Sequence, residues 1–351
     1  MAATYDLIAD LPVTIDRYEL EGREETYGEF VRATTVIHLK GAGQEGIGED
    51  VTYDAGDQHI LQAAGPILPL AGTHTLRTLA ELLDTLDLFP EPASGPAYLY
   101  YRRWAFESAA LDLALRQAGE PLHAVLGREP APLTFVASTR LTGDPPTTEG
   151  VLKRRAVAPG LRFKLDPENS WTPELIAELR ELDCVATCDL KGLYRGTPVD
   201  VETDPALYQA CAEAFPDAFL EDPDLTNAEA AAVLEPHHDR ITWDANLHSA
   251  ADIDALPFAP LTINSKPSRF GPIERLFEVY DTCAERGVGI YGGGQSELAC
   301  GRGQIQYLAS LFHPDTPNDV APSAFNLPDP PAGLPNSPMA PAPSDIGFRW
   351  G

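Results

Sequence analysis

From Gly127 onward the chain repeats one unit, a short β-rich run followed by a helical stretch. The runs are "LTFVAST", "LRFKLD", "CVATCDL", "DAFLED", "ITWDAN", "PLTINSK" and "VGIYGGG". Between them, segments such as "TPELIAELREL", "PALYQACAEAF" and "GPIERLFEVYDTCAERG" carry apolar residues at helical spacing. Alternation sustained over about 190 residues predicts parallel strands joined by crossover helices. Seven strands before residue 295, with an eighth in "NDVAPSAF", fit a closed barrel better than an open sheet.

The first third reads differently. "TYDLIADLPVTIDRYEL" and "RATTVIHLKGAGQEGIGED" alternate apolar and polar residues about a Gly-rich join, the pattern of strands and turns. Helical periodicity takes over from 75 to 126. The expected fold is therefore α/β: an α+β N-terminal domain over 1–126, a closed barrel of alternating strands and helices over 127–321, and a Pro-rich tail over 322–351.

Twenty-five Lys and Arg against 53 Asp and Glu leave a net charge of −28. Such a surface repels nucleic acid and anionic lipid, so neither is an expected partner. No apolar run approaches the ~18 residues of a membrane span. The N-terminal "MAATYDLIADLPVTIDRYELEG" lacks the basic and apolar regions of a secretory signal, and the expected location is cytoplasmic. The five cysteines are an odd set; Cys184 and Cys188, spaced CxxxC, match neither a redox nor a zinc pattern and read as small buried thiols. Against this field, an anionic substrate must be drawn in by a local cluster of cations and metal.

The strand ends supply one. Lys164, Asp189, Glu221, Asp244 and Lys266 close successive runs at intervals of 25, 32, 23 and 22 residues, each about one strand–helix step. A single acid at a strand end is commonly a turn former, and a single lysine commonly solvated. Five charged endings on consecutive strands place one charge per strand at the same mouth, where barrels hold their active sites. Three converging carboxylates repel one another unless a cation joins them, and all-oxygen ligation suits a hard ion, Mg²⁺ first. Asp189, Glu221 and Asp244 are the expected ligands. Lys164 and Lys266 come from opposite sides of the mouth. One of them can take the α-proton of a small-molecule carboxylate substrate while the ion stabilises the enediolate. Arg162, two residues before Lys164, is expected on the same face, lowering the lysine's pKa toward that of a working base.

"RFKLD", "CDLKG", "FLEDPD", "ITWDAN", "INSKPSRFGPI" and "GIYGGGQSELACGRGQIQYLASL", in this order, resemble the enolase superfamily, in particular its muconate-lactonising-enzyme-like branch. "EGIGED" and "RWAFESAALDLALRQAGEPLHAVLG" resemble its capping-domain turn and the helix leading into its barrel. The resemblance implies that the barrel is a (β/α)7β TIM-like barrel, that the N-terminal domain caps it and that the tail returns to the cap. It implies Asp189, Glu221 and Asp244 as ligands, Lys164 as the second lysine of a Lys-x-Lys motif, and Lys266 as the base on the sixth strand. Arg162 then stands for the first lysine. Lys191 stands where the family has Asn, Asn246 takes over beside the third ligand, and the Asp-x-Asp of dipeptide epimerases is missing, which argues against dipeptides. Arg23 lies where the family places a specificity loop, a candidate for a distal carboxylate. Gln295 and Glu297, in "GGGQSE", are further substrate-binding candidates, with Lys191 and Asn246.

The function these readings favour is Mg²⁺-dependent proton abstraction by a homo-oligomeric isomerase, a racemase/epimerase or cycloisomerase. The alternative enzyme is a lyase, either an acid-sugar dehydratase or o-succinylbenzoate-synthase-like. A non-catalytic barrel relic is a third reading, which retention of both lysines and all three acids opposes.

Overall fold

The computed structural model describes residues 3–27, 30–197 and 199–351. After a short 3-10 turn at Thr4–Leu7 come β1 (Pro12–Ile15), β2 (Arg17–Tyr27), β3 (Phe30–Gly41) and β4 (Gln44–Asp50). Strands β2, β3 and β4 form an antiparallel meander. Next are α1 (Ala55–Ala64), β5 (Gly72–Thr75, antiparallel to β1), α2 (Leu76–Asp84), α3 (Tyr98–Ala118) and α4 (Leu122–Leu126). Helix α3 is buried without interruption from Tyr101 to Leu115, so it is enclosed on every side rather than amphipathic.

The "EGIGED" turn shows how meander and helix meet. A Cβ at Gly46 or Gly48 would run into the carbonyl oxygens of Ala109 and Ala105, so β4 approaches α3 only because both positions are glycine. Asp50 then pairs with Arg102 of α3 at 2.7 Å, both side chains fully buried.

The second part contains β6 (Val136–Thr139), α5 (Glu149–Val157), β7 (Arg162–Leu165), α6 (Pro173–Leu182), β8 (Val185–Asp189), α7 (Pro205–Ala214) and β9 (Phe219–Glu221). It continues with α8 (Ala228–Leu234), β10 (Ile241–Thr242), α9 (Ala250–Asp254), β11 (Thr262–Ser265), α10 (Pro267–Phe270), α11 (Ile273–Arg286), β12 (Gly289–Gly292) and α12 (Cys300–Phe312). Strands β6 to β10 pair in parallel in sequence order, and β11 pairs in parallel with β12. The amide of Asn264 donates to the Trp243 carbonyl at 3.0 Å, joining the two sheets. Asn318 and Asp319 bridge in parallel to Phe135 and Gly293 and complete the ring. The eighth strand falls in the expected "NDVAPSAF", and the fold is a TIM-like (β/α)7β barrel beside an α+β unit. Phe163, Leu165, Leu220, Ile241 and Ile263 are fully buried on its strands, each contributing about 1.5–3 kcal/mol on burial.

The chain after the barrel runs back over the molecule. Met339 pairs with Leu133, and the Phe348 amide and the Arg349 guanidinium both bond Asp112 of α3 at 2.8 Å. Among the described residues no helix is long and apolar enough to cross a membrane.

Candidate active site

Asp189 and Glu221 are the last residues of β8 and β9, and Asp244 follows β10 by two residues. All three are fully buried. Lys164 lies within β7 and Lys266 directly after β11, the second and sixth strands of an eight-membered ring and therefore opposite each other. Each lysine faces different acids. Lys164 Nζ donates to Glu221 and lies 3.1 Å from Asp189; Lys266 Nζ donates to Asp244 at 2.6 Å. Both lysines line one cavity of about 490 Å³, within the usual range of small-molecule sites.

Gly293 has a steric reason here. A Cβ on it would sit 2.8 Å from Lys266 Cε, so the glycine run after β12 leaves room for the lysine stem. Gly294 lines the cavity itself.

Among the described residues, the group of acid oxygens that converges holds Asp222 beside Asp189 and Glu221, and does not include Asp244. Asp189, Glu221 and Asp222 each offer an oxygen within 4.8 Å of the others, an arrangement able to hold a metal ion. Glu221 and Asp222 are consecutive, and consecutive strand residues face opposite ways. Asp222 has φ +50°, and this left-handed step takes it out of the strand alternation. Its two oxygens accept the amides of Asp244 and Ala245, both at 2.9 Å, so it fixes the backbone that carries Asp244.

Among the acids, Asp244 Oδ2 accepts from Lys266, from Tyr194 at 3.0 Å and from Arg269 at 3.4 Å. Its Oδ1 is buried without a hydrogen-bond partner among the described residues. Glu221 is held by the Tyr291 phenol and by Asn264 Nδ2 at 3.1 Å, besides Lys164. Burial and the neighbouring acids push Glu221 up to about 8, although Lys164 opposes this. Burial, with Asp244 and Asp189, raises Asp222 to about 7. Asp189 and Asp244 are driven below the usual range because, despite burial, lysines (and Arg269 at Asp244) outweigh it. Burial disfavours the Lys164 ammonium, yet Asp189 and Glu221 overcome it and hold the pKa well above the ordinary value. All-oxygen donors, one of them an orphaned buried oxygen, suit a hard divalent cation.

Several expected residues stand elsewhere. Arg162 is exposed at the start of β7, and its guanidinium bonds the Val185 carbonyl at 2.8 Å, at the other end of the strand from the acids. The pairing of β7 with β6 is regular, so Arg162 and Lys164 fall on one side of the strand, but Arg162 opens it and the acids stand at its far end. Arg23 is exposed on β2 and pairs with Glu21 at 2.7 Å, because alternate strand residues share a face. Asn246 is exposed and does not line the cavity. Gln295 and Glu297 are buried but face inward to the protein. Gln295 Nε2 donates to Tyr101 Oη at 3.1 Å, and Glu297 accepts the Gln295 amide and pairs with Arg302 at 2.9 Å. Lys191 does line the cavity, 2.5 Å from Asp189 Oδ2 and 3.6 Å from Asp166. The five cysteines are free thiols, four of them buried. Asp222, Tyr194, Tyr291, Asn264 and Arg269 were outside the sequence expectation; only Asp222 gave a signal, as the second acid in "FLEDPD".

The chain matches the family described as "Domain of unknown function (DUF8230)" in both parts, the N-terminal domain over residues 6–125 and the C-terminal domain over 129–327. It is 28% identical over 322 residues to o-succinylbenzoate synthase of Geobacillus stearothermophilus, covering 85% of this chain and 80% of that protein. It is 28% identical over 312 residues to N-succinylamino acid racemase of Amycolatopsis sp, covering 84% and 80%. A dipeptide epimerase from Enterococcus faecalis V583 matches with a TM-score of 0.67 at 17% identity, over 96% of this chain and 99% of that one. A dipeptide epimerase from Methylococcus capsulatus, complexed with a Mg ion, matches with a TM-score of 0.62 at 19% identity, over 90% and 88%.

Proposed function

Because the chain belongs to the DUF8230 family and is an enolase-superfamily enzyme, we propose that it removes the proton α to the carboxylate of a small-molecule substrate and returns it to the opposite face, as a racemase or epimerase. One observation carries the reading: two buried ammonium groups on opposite strands of the ring, each against its own acid, open on one cavity. Asp189, Glu221 and Asp244 would hold Mg²⁺, with Asp222 fixing the loop that carries Asp244. When bound, the ion would lend positive charge to the substrate carboxylate as the α-proton leaves.

The chain's own groups do the rest. Lys164 and Lys266 approach the α-carbon from opposite sides, so one, uncharged, takes the proton while the other, as ammonium, gives one back. Acids shared with a cation hold Lys164 less firmly as ammonium, which a base requires. Tyr291 and Asn264 keep Glu221 in place, and Tyr194 and Arg269 do the same for Asp244. The name of the Amycolatopsis relative supports racemisation. That of the Geobacillus relative favours a second reading, elimination of water with one lysine serving only as a cation.

Exchange of the α-proton in D₂O separates them. With each enantiomer of N-acylated amino acids as trial substrates, Lys266→Ala should lose exchange from one enantiomer by about 10²- to 10⁴-fold and retain it from the other. Lys164→Ala should do the reverse, and both should lose racemisation. Elimination predicts that only one lysine is essential. Exchange of both enantiomers at near wild-type rates in both variants would sink the two-lysine mechanism.

A further inference from the structure

Three lysines line the cavity, and they differ in the acids they meet. Lys164 Nζ meets Asp189 and Glu221, and Lys266 Nζ meets Asp244, all of them proposed ligands of the ion. Lys191 Nζ lies 2.5 Å from Asp189 Oδ2 and 3.6 Å from Asp166 Oδ1. Among the described residues it is the one lysine of the three that touches both a ligand and an acid outside the ligand set. Asp166 follows β7 and lines the cavity with Lys191. Its Oδ1 is buried and accepts no hydrogen bond among the described residues, while its Oδ2 lies 3.7 Å from Arg140, beyond hydrogen-bond distance.

The backbone on either side of Lys191 is pinned. The amides of Leu190 and Gly192 donate to the carbonyls of Glu221 and Asp222, both at 2.8 Å. A Cβ at Gly192 would sit 2.3 Å from the Asp224 amide nitrogen, so the turn packs directly on the chain leaving β9. Lys191 itself takes φ +55°, which breaks the strand alternation and brings its stem back over Asp189, two residues earlier. That leaves the flexible four-carbon stem as the part that can turn. Closing the 3.6 Å gap to Asp166 into an ordinary charge-assisted hydrogen bond takes a movement of about 1 Å. Asp189 Oδ2 is the contested atom. An ion bound to that oxygen at about 2.1 Å would stand within about 5 Å of an ammonium 2.5 Å from the same oxygen. Like charges that close in a buried site repel strongly, and the unspent oxygen of Asp166 is the nearest place for the ammonium to go.

We propose that Lys191 is a tethered cation that competes with the divalent ion for Asp189 and moves to Asp166 when the ion binds. The proposal rests on the placement of the ion set out above and not on the α-proton chemistry. Lys191 then sets the strength of metal binding. It weakens binding by covering Asp189, and Asp166 limits the loss by receiving the displaced ammonium. The same exchange keeps Asp189 compensated before the ion arrives, as a fully buried carboxylate requires.

The test is a double-mutant cycle on Mg²⁺ affinity, measured with the metal alone by titration calorimetry at constant pH and ionic strength. Lys191→Met should bind Mg²⁺ about 10-fold or more tightly than the wild type. Asp166→Asn should bind it about 3- to 10-fold more weakly, because the displaced ammonium then has no charged acceptor. In the double variant, measured against Lys191→Met, the Asp166→Asn loss should shrink below about 2-fold, since no ammonium needs a landing place. If each charge acted on the ion independently, the two effects would add; an undiminished Asp166→Asn loss therefore overturns the exchange. Unchanged or weaker binding by Lys191→Met overturns it as well, and would mean that Lys191 merely supports Asp189. Thermal melting without Mg²⁺ establishes that the variants are folded. Should Lys191→Met not fold, Lys191→Asn, a residue type that tolerates the left-handed backbone, carries the same expectation. No Mg²⁺ binding by the wild type or by either Lys191 variant defeats the placement of the ion itself, whereas Mg²⁺ binding that Lys191 does not weaken overturns the exchange and leaves that placement standing.

Discussion

His313 sits where the barrel closes, and its titration should be visible in the stability of the whole molecule. It follows α12, is buried, and its Nδ1 lies 2.6 Å from Asn318 Oδ1. The same oxygen accepts the Gly292 amide at 2.5 Å, while Asn318 Nδ2 donates to the carbonyls of Thr134, His313 and Thr316. Asn318 thereby ties β12 to the chain entering β6. Since Oδ1 accepts, the proton belongs on Nδ1, and Nε2 is left buried without a partner among the described residues. Charging the ring would add an N–H that nothing accepts, and burial pushes His313 down to about 4 from its ordinary 6.5.

The sign follows. Above pH 6.5 the ring is neutral folded or unfolded and adds no pH dependence. Below 6.5 the unfolded chain takes up a proton that the fold refuses, so stability is lost as pH falls, until the folded ring titrates near 4. The interval corresponds to about 3 kcal/mol in full, of which about 2 kcal/mol is gone by pH 5. Urea unfolding at pH 7.5, 6.0 and 5.0 measures it, comparing the wild type with His313→Asn, whose amide retains a donor toward Asn318. Carboxylate contributions are common to both proteins. Between pH 7.5 and 5.0 the wild type should lose about 2 kcal/mol more than the variant. Parallel pH profiles would refute the argument.

Two further outcomes are expected. Gly48→Ala should cost about 1–3 kcal/mol in urea unfolding, because its Cβ meets the backbone carbonyl of Ala105, which cannot swing aside as a side chain would; a change below about 0.5 kcal/mol would show that β4 and α3 separate freely. Raising KCl from 0.1 M to 2 M should raise the melting temperature by about 1–2 °C for each 1 kcal/mol of repulsion relieved, since the charge of −28 is then screened over a few ångströms; a flat or falling melting temperature would mean that surface repulsion does not limit stability.

The ring and its acidic mouth were legible in the sequence because both follow from one periodicity. Apolar runs that recur with intervening helices fix a parallel barrel, and a barrel brings every strand end to the same mouth. Lys164, Asp189, Glu221, Asp244 and Lys266 meet for that reason. What failed was each inference needing regular backbone or a side-chain direction. Arg162 misled because the two-residue spacing gives a face and not a height: it opens β7, and its guanidinium bonds the Val185 carbonyl at the start of β8, away from the acids that end the strands. Asp222 was passed over because alternation sends the residue after Glu221 away, and φ +50° reverses that. Arg23 was read as a loop cation, whereas it stands within β2, two residues from its partner Glu21.

Gln295 and Glu297 misled for a different reason, and it bears on how the cavity is kept in shape. They stand beside the cavity-lining Gly294 and Ser296, but the loop after β12 is held from the N-terminal unit. Arg32 of β3, fully buried, donates to the carbonyls of Gln295 at 2.8 Å and Ser296 at 3.1 Å, and also to Val51 and Thr52 beyond β4. Glu49, at the end of β4, accepts the amides of Leu298 at 2.7 Å and Gly301 at 2.9 Å, where the free N–H groups and positive dipole end of α12 favour a carboxylate. Tyr101 of α3 takes the Gln295 side chain. One wall of the cavity is therefore positioned by β3, β4 and α3 rather than by the barrel that carries the acids and lysines. Substitutions at Arg32 or Glu49, which do not line the cavity, should move Gly294 and Ser296 while leaving Asp189, Glu221 and Asp244 in place. The chemistry and the fit of the substrate are thus set by different parts of the chain, and the seam between them is where a change in one can be made without the other.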